Sequence, residues 1–278
     1  MLAFAANSIL CRLALGSELI DPGSFTTLRL VSGAIILVGV ITVQRTPLEL
    51  RKADPRAAMA LFAYAICFSY AYTGLSTATG ALILFGCVQL TMVFDDIRQG
   101  KQPQAKAWIG IALAFGGLLY LLLPGVAAPS LVSAVLMALA GVAWGMYSLK
   151  GKLASAPVIA TTRNFVLTVP LTLIVSITLL PTIYITAEGA MLAVASGALA
   201  SGLGYVIWYA VLPWLRSTTA ATVQLSVPLI AALGGVVVVA EPLTTRLIVA
   251  TALILGGIAL VIFTSSRMTA DTVENQNS

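Results

Sequence analysis

Long apolar runs alternate with short polar connections along almost the whole chain. An α-helix needs roughly 20 residues to cross the hydrocarbon core of a bilayer, and most of the runs approach this length. Polar and apolar positions do not alternate within them, which argues against the strands of a membrane β-barrel. The pattern therefore predicts ten membrane helices: Met1–Leu15, Phe25–Gln44, Arg56–Leu75, Thr79–Phe94, Lys106–Leu123, Ser130–Lys150, Ala160–Leu180, Glu188–Leu212, Thr218–Ala240 and Leu243–Ser265.

The composition indicates that lipid surrounds most of the protein surface. Hydrophobic residues make up 59% of the 278 positions and charged residues 9%, whereas a soluble domain carries about 25% charged residues. The formal net charge of +5 comes from basic residues that are scattered between the apolar runs. They form no stripe, so nucleic acid is not an expected partner. We expect membrane lipids and a small-molecule substrate as partners, with the protein as a monomer or a homodimer.

The positive charges lie almost entirely in alternate connections. They follow the second, fourth, sixth, eighth and tenth runs, whereas the connections after the first, third, fifth and seventh runs contain no Lys or Arg. Arg246, after the ninth run, is the exception. Because cytoplasmic connections are enriched in Lys and Arg, both termini are predicted to be cytoplasmic. Residues 266–278 then form a polar cytoplasmic tail.

The chain offers few groups for catalysis. It contains no histidine, and each of its three cysteines lies inside an apolar run without a partner at metal-binding spacing. All ten acidic residues lie in connections, at run ends or in the tail. No carboxylate is therefore placed for a proton relay near the bilayer centre. We predict no catalytic residue, no metal site and no cofactor.

The second half of the chain resembles the first half. The stretch STATGALILFGCVQL aligns with STTAATVQLSVPLIA, and KAWIGIALAFGGLLYLL aligns with RLIVATALILGGIALVI. Arg29 and Arg163 end matching short motifs, TTLR and TTR. Residues 1–123 and 130–265 are thus predicted to be two five-helix repeats. Because five is odd, the repeats have opposite orientations in the membrane, a plan that recurs in secondary transporters.

Residues 201–262 carry the clearest family resemblance. Glu241 and Pro242 form an EP pair between the last two runs, and paired glycines follow it. Together with the Leu-Arg pair that ends at Arg29, they resemble the signature of EamA-type members of the drug/metabolite transporter superfamily. The resemblance covers essentially the whole chain. The chain departs from it at Lys101, which stands at the first-half counterpart of Glu241.

The resemblance implies both a fold and a function. The fold would be an all-α integral membrane protein with ten transmembrane helices in two inverted five-helix repeats. The function would be the movement of small metabolites, often outward. The expected location is the bacterial cytoplasmic (inner) membrane. The resemblance does not specify a substrate.

Polar side chains inside the predicted helices are the candidates for substrate contact, because such groups are costly in lipid unless they face protein or a watery cavity. In the eighth run Ser201, Tyr205 and Trp208 share one helical face; packing or an interfacial aromatic belt is the alternative for the aromatic residues. In the ninth run Pro228 has no N–H, so the carbonyl of Gln224 loses its helical partner. This favours an interrupted helix at a transport site, with a kink satisfied by neighbouring hydroxyls as the alternative.

Further candidates lie in four other helices. Asn7 of the first run and Trp144 and Tyr147 of the sixth run are expected to meet across the pseudo-twofold axis between the repeats. Asn7 as a link between packed helices is the alternative. Tyr72 of the third run and Gln89 of the fourth run complete the set. We predict that these side chains line a cavity near the middle of the membrane.

Three charged residues are candidates for the entrances to this cavity. Arg29 lies about one turn inside the predicted outer end of the second helix, and Arg163 occupies the matching turn at the predicted cytoplasmic end of the seventh. Each arginine either anchors its helix by extending to the lipid headgroups or forms a charged vestibule. Glu241 is the third candidate for gating. The charges that lean into the membrane are all positive, which fits neutral, zwitterionic or anionic solutes better than cations.

Three functions are compatible with this pattern. We favour a secondary transporter, and an exporter, of small metabolites such as amino acids or related neutral, zwitterionic or anionic solutes. It would work by alternating access at a midplane cavity between the repeats. A membrane-embedded lipid-modifying enzyme needs clustered acid–base or metal groups, and Asp95 with Asp96 is the one adjacent acidic pair. A non-transporting membrane adaptor is the third function, and the lack of a soluble domain argues against it.

Overall fold

The described part of the protein is built of helices. The computed structural model describes residues 1–100, 104–123, 129–152, 154–211, 214 and 223–276, and within these residues it contains no β-strand. The predicted all-α class is therefore confirmed for the described residues. The helices are α1 (Leu2–Gly16), α2 (Pro22–Val43), α3 (Pro55–Ala71), α4 (Thr77–Arg98), α5 (Ala105–Leu122), α6 (Leu131–Lys152), α7 (Pro157–Thr178), α8 (Ala187–Ala195), α9 (Gly204–Val211), α10 (Ser226–Val239) and α11 (Thr245–Gln276).

The long apolar helices indicate an integral membrane protein. Within the described residues, seven helical segments are long and apolar enough to cross a bilayer: Pro22–Val43, Thr77–Arg98, Ala105–Leu122, Leu131–Gly151, Pro157–Thr178, Ala187–Trp208 and Thr245–Thr264. Helices α1 and α10 are apolar but shorter. The count of ten membrane helices stays a prediction.

Capping side chains and prolines explain where several helices begin. Asp21, Asp54, Ser76 and Thr186 each accept a hydrogen bond from a backbone N–H in the first turn of a helix. These bonds satisfy donors that the start of a helix leaves without partners. Proline follows Asp21 and Asp54 at the first helical position, where its missing N–H costs no hydrogen bond. The caps lie in the connections, so they define where each helix starts.

A π-helical segment, Ser196–Leu203, joins α8 to α9 within the eighth apolar run. Such segments widen the helix locally and are frequent at functional sites. The segment packs closely on α2, because a Cβ added at Gly197 would collide with the carbonyl of Arg29. Glycine is therefore required for this approach. The contact brings Ser196 and Ser201, both buried, toward the centre of the bundle.

The pairs of helices that pack together are symmetric between the two predicted halves of the chain. Helix α5 packs against α11, and α2 packs against α7. Helices α3 and α4 both pack against α6, while α8, the π segment and α10 pack against α1. If each apolar run of one half is exchanged for the corresponding run of the other half, the same helix pairs result. Two structural repeats would produce this symmetry. The inverted orientation of the repeats and the domain bounds 1–123 and 130–265 stay predictions.

The last helix is longer than the apolar run that predicts it. The run ends at Ser265, whereas α11 continues to Gln276. No glycine or proline interrupts positions 266–276, so the backbone can remain helical in this polar stretch. The cytoplasmic placement of residues 266–278 stays a prediction.

Helices α5 and α11 cross so closely that glycine is required at the crossing. A Cβ added at Gly257 would lie 2.5 Å from the carbonyl oxygen of Gly110, whereas a Cβ at the neighbouring Gly256 would meet nothing within 4 Å. We expect Gly257→Ala to destabilise the detergent-solubilised protein by about 1–3 kcal/mol, because the two backbones must separate. Thermal unfolding measures this loss.

The matched control is Gly256→Ala, one position away in the same helix. It should leave the unfolding midpoint unchanged or raise it, since alanine is the better helix former. Equal midpoints for the two alanine variants would contradict the close crossing of α5 and α11.

Candidate functional site

An aromatic cluster fills the centre of the bundle. Its members, which we call the aromatic cage, are Phe4 of α1, Tyr64 and Phe68 of α3, Trp144 of α6 and Tyr205 of α9. The ring centre of Trp144 lies 4.8 Å from that of Tyr64 and 5.1 Å from that of Tyr205. Phe4 meets Trp144 and Tyr205 edge-on. Tilted and edge-on contacts of this kind are favoured between aromatic rings.

A small cavity lies within the aromatic cage. Its volume is about 10 Å³, which is the space of a single water molecule. The cage is therefore closed by its own side chains, and a solute can enter only when the rings move apart. Besides the cage, the cavity is lined by Asn7, Ser8, Leu84, Phe85, Ala200 and Ser201.

Arg29 of α2 lies inside the bundle, beside this cavity. Its Nη2 donates a hydrogen bond of 2.8 Å to the hydroxyl of Tyr64, and its Nε donates one of 3.4 Å to Oγ of Ser201. The guanidinium carbon lies 5.0 Å from the ring centre of Tyr64 and 4.9 Å from that of Phe68. The faces of aromatic rings attract a cation at such distances.

Of the two alternatives for Arg29, extension to the lipid headgroups disagrees with the structure. Only 1% of the residue is exposed, because α3 and the π segment cover the face of α2 that carries it. Hydroxyl groups and ring faces take the place of water around the charge. Arg29 is thus part of the central site, and whether it also acts at an entrance stays a prediction.

A hydrogen-bond network joins α1, α3 and the π segment at the cavity. Nδ2 of Asn7 donates to the hydroxyl of Tyr64 at 3.2 Å, and Oγ of Ser196 donates to Oδ1 of Asn7 at 2.6 Å. The hydroxyl of Tyr64 therefore accepts from both Asn7 and Arg29. All of these groups are buried, so the network holds the ring of Tyr64 firmly against the cavity.

An ion pair closes the end of the bundle that is predicted to face the outside. Nε of Arg12 lies 3.0 Å from Oε1 of Glu241. Nη1 of Arg12 also donates to the carbonyl of Tyr72 at 3.2 Å, and Oε2 of Glu241 accepts from the N–H of Thr77 at 2.8 Å. These four residues, which we call the outer lock, join α1, α3, α4 and the connection before α11. Lys101, the first-half counterpart of Glu241, lies outside the described residues.

A basic vestibule opens at the opposite end of the bundle. Its volume is about 390 Å³, and its charged lining residues are Lys52, Asp54, Lys150 and Arg163. Nζ of Lys150 donates to Oδ2 of Asp54 at 2.6 Å. This hydrogen bond holds the pKa of Asp54 below its ordinary value, so the carboxylate is ionised near neutral pH. Three positive charges and one negative charge therefore face the vestibule.

Tyr147 separates the vestibule from the aromatic cage. It lines the vestibule, its hydroxyl donates to Oγ1 of Thr161 at 3.3 Å, and it is 1% exposed. On its other side the ring centre lies 5.5 Å from that of Trp144. A path from the vestibule to the cage therefore requires Tyr147 and Trp144 to move.

Several of the predicted binding residues meet at the central cavity. Asn7, Trp144, Ser201 and Tyr205 all line it. Trp208 does not line the cavity, but its ring packs against Phe4, with 6.2 Å between the ring centres. The structure thus brings together residues of α1, α6, the π segment and α9. Their part in substrate binding stays a prediction.

The other predicted binding residues lie elsewhere. Tyr147 belongs to the wall of the vestibule, and Tyr72 belongs to the outer lock. Gln89 is buried in α4 but is not among the residues that line the central cavity. Helix α10 begins at Ser226, two residues before Pro228, and neither Gln224 nor Pro228 lines this cavity; the interruption of the helix at this proline stays a prediction. Substrate contact by these residues also stays a prediction.

Phe4, Tyr64 and Phe68 are absent from the residues predicted for the site. Tyr64, Phe68 and Tyr72 follow one another at intervals of four, which places them on one face of α3. This stripe could have identified Tyr64 as the residue that reaches the centre. Phe4 has no polar atom, so a search for polar groups within apolar runs could not find it.

Tyr64→Phe tests the network around the cavity. The variant keeps the ring but leaves Nη2 of Arg29 and Nδ2 of Asn7 without their acceptor. We expect it to lower the free energy of unfolding by about 1–3 kcal/mol, the cost of leaving buried donors unpaired. Thermal or denaturant unfolding in detergent measures the loss. Tyr120→Phe in α5 is the control, because the Tyr120 hydroxyl makes no hydrogen bond among the described residues; similar losses in both variants would refute the role of the Tyr64 hydroxyl.

Comparison with known proteins identifies the family of the chain. A profile of the "EamA-like transporter family" matches residues 1–123 and 131–263. A protein of Pseudomonas aeruginosa described as "Uncharacterized protein PA1977" is 46% identical over 262 residues, which cover 94% of this chain and 91% of that protein. A solved structure described as "Crystal structure of protein" is similar in fold, with a TM-score of 0.64 and 19% identity over 94% of this chain and 95% of that chain. The chain therefore belongs to the EamA-like transporter family, within the drug/metabolite transporter superfamily.

Proposed function

We propose that the protein is a secondary transporter, and an exporter, of small metabolites that works by alternating access. The substrates would be amino acids or related neutral, zwitterionic or anionic solutes. Membership of a transporter family supports transport as the general activity. The observation that carries the mechanism is the difference between the two ends of the bundle: one is closed by the outer lock, and the other opens into a vestibule of about 390 Å³.

The outer lock is suited to reversible closure. Its contacts are an ion pair and hydrogen bonds to backbone groups, and the side chains of Arg12 and Glu241 are 25% and 12% exposed. When the helices separate, water can form hydrogen bonds with these polar groups in place of their protein partners. This limits the free-energy cost of opening. Breaking the pair would remove the polar link that Glu241 makes between α1 and α4. An opening toward the outside could then form.

The aromatic cage is the second barrier in this proposal. Its cavity of about 10 Å³ holds no solute, so the cage must open toward the vestibule before a solute binds. Its five rings come from four helices, and neighbouring rings meet in tilted or edge-on arrangements. When the cage opens, a bound apolar group could take the place of a neighbouring ring in these contacts.

The charge of the vestibule supports the proposed choice of solute. Lys52 and Lys150 are each paired with a carboxylate, whereas Arg163 is in none of the ion pairs between described residues. The vestibule therefore keeps a net positive charge, which would concentrate anionic solutes. Among the described residues, no carboxylate lines the central cavity. Uniport or exchange is therefore the proposed mode of transport, and Glu241 is the candidate for any coupling to protons.

The proposed orientation follows from the distribution of basic residues. With both termini in the cytoplasm of a bacterium, the vestibule would face the cytoplasm and the outer lock would face away from it. An exporter loads its substrate from that side. The protein would work in the inner membrane as a monomer or a homodimer.

Asp95 and Asp96, which the lipid-modifying alternative would need, lie near the end of α4 and do not line the central cavity.

Transport by the purified protein is the direct test. We expect proteoliposomes to accumulate at least one class of radiolabelled solute among amino acids, nucleosides and small organic acids above protein-free vesicles. Tyr205→Ala should lower this uptake by about tenfold, because it removes a ring from the cage. Tyr120→Phe, outside the cage, should leave it unchanged. Folded protein that moves none of these solutes would argue strongly against the proposal.

Labelling of Cys11 tests the outer lock. Cys11 is fully buried next to Arg12, so in a Cys67→Ala, Cys87→Ala background it reports opening at this end. We expect Glu241→Gln to raise its labelling by a membrane-impermeant thiol reagent severalfold, because the ion pair is lost.

The control for this experiment is Glu49→Gln. It removes an exposed carboxylate that pairs with Lys52 at the opposite end, 2.6 Å between Nζ and Oε2. Its labelling rate at Cys11 should equal that of the parent. The same rate in the Glu241 variant would mean that the outer lock does not control access.

A further inference from the structure

The charge of Arg29 has no counter-ion within the described part of the chain. Nη1 of its guanidinium is buried and makes no hydrogen bond. The remaining contacts are with the hydroxyls of Tyr64 and Ser201 and with the ring faces of Tyr64 and Phe68. None of the ion pairs between described residues includes Arg29. A full positive charge is therefore surrounded by neutral groups alone.

Such an arrangement is costly unless a ligand completes it. A cation–π contact offsets only a small part of the free energy that removal of an ion from water costs. Buried charges in proteins are normally paired, and an ionisable group inside a membrane protein usually marks a substrate path. A solute that carries an anionic group would supply the partner that Arg29 lacks.

The free donors of Arg29 fit a carboxylate. Nε is used by Ser201 and one donor of Nη2 by Tyr64, so the edge formed by Nη1 and the remaining N–H of Nη2 can donate. Two parallel N–H groups of this edge match the two oxygens of a carboxylate. Tyr64 and Ser201 both line the central cavity. Arg29 itself does not line the closed cavity, so an anion would reach this edge only when the aromatic cage opens beside Tyr64 and Ser201.

The aromatic cage adds an apolar requirement. Phe4, Trp144 and Tyr205 face one another next to this wall, and an inorganic anion would leave their surfaces unused. A solute whose carboxylate meets Arg29 can place an apolar or aromatic body between the rings. The burial of that apolar body against the rings would favour binding.

The same site provides no charged partner for an ammonium group. Among the described residues, no Asp or Glu lines the cavity, and Glu241 is engaged in the outer lock. Oδ1 of Asn7 already accepts from Ser196. An α-ammonium group would therefore meet only neutral groups, with the positive charge of Arg29 nearby.

We infer that the central site binds organic acids with an apolar body, with the carboxylate on Arg29, and that an α-ammonium group is not required. This inference rests on the proposed transport function and names its substrate class. The vestibule supports it, because Nε of Arg163 is a second buried guanidinium nitrogen without a hydrogen-bond partner. An acid could pass from Arg163 to Arg29 through the movement of Tyr147 and Trp144.

A set of related probes on the unmodified full-length protein tests this inference. Phenylalanine carries both a carboxylate and an ammonium group; hydrocinnamate lacks the ammonium, and phenethylamine lacks the carboxylate. We expect hydrocinnamate and phenylalanine to raise the thermal unfolding midpoint of the detergent-solubilised protein in a concentration-dependent way. Phenethylamine should not do so. Equal effects of the three probes, including no effect, would overturn the inference.

Inorganic anions and Arg29 variants complete the test. Chloride should stabilise the protein less than hydrocinnamate, and saturation of the whole effect by chloride would mean that the site holds an inorganic anion. Arg29→Gln should weaken hydrocinnamate binding by about tenfold or more, because a buried charge pair is lost, and Arg29→Lys should retain part of it. Arg51→Gln, an exposed arginine in the connection before α3, is the matched control and should bind like the parent. Parental affinity in Arg29→Gln would overturn the inference.

Uptake into proteoliposomes separates this inference from the transport proposal. If hydrocinnamate binds at Arg29 but no solute crosses the membrane, the binding inference stands and the transport proposal fails. If solutes cross equally in the parent and in Arg29→Gln, transport stands and the assignment of the carboxylate to Arg29 fails.

Discussion

The burial of one positive charge, that of Arg29, organises the centre of this protein. Water cannot solvate the guanidinium there, so the surrounding helices must provide the polar contacts. The hydroxyl of Tyr64 comes from α3 and that of Ser201 from the π segment. Gly197 lets the π segment approach α2 closely enough for this contact. Asn7 then holds Tyr64 in place, so α1 also depends on the arrangement around Arg29.

The contacts of the bundle divide into close apolar packing and reversible polar closure. Helices α5 and α11 meet through Gly110 and Gly257, with their backbones in near contact, and such packing resists separation. The outer lock instead consists of an ion pair and hydrogen bonds that water can replace. The proposed alternate opening at the two ends would need both kinds of contact, a rigid pair of helices and a closure that can be undone.

Much of the helical architecture follows from local features of the sequence. Apolar runs near the length of a bilayer predict the helices, and Asp21, Asp54 and Ser76 cap them through contacts within one turn. The choice of Asn7, Trp144, Ser201 and Tyr205 as candidates rests on the cost of polar groups in lipid. This cost does not depend on which helices are neighbours, so the sequence alone was sufficient to identify these residues as candidates.

The interior of the site depends on which helices become neighbours. Helix α2 is apolar on nearly every side, so no stripe marks its inner face, and the side chain of Arg29 could have pointed either to lipid or to protein. Contacts with α3 and the π segment decide this. The pair of Arg12 and Glu241 joins positions 229 residues apart, and no local pattern connects them. Run length and composition are thus sufficient for the helices, whereas the partners of each buried charge are set by packing between distant parts of the chain.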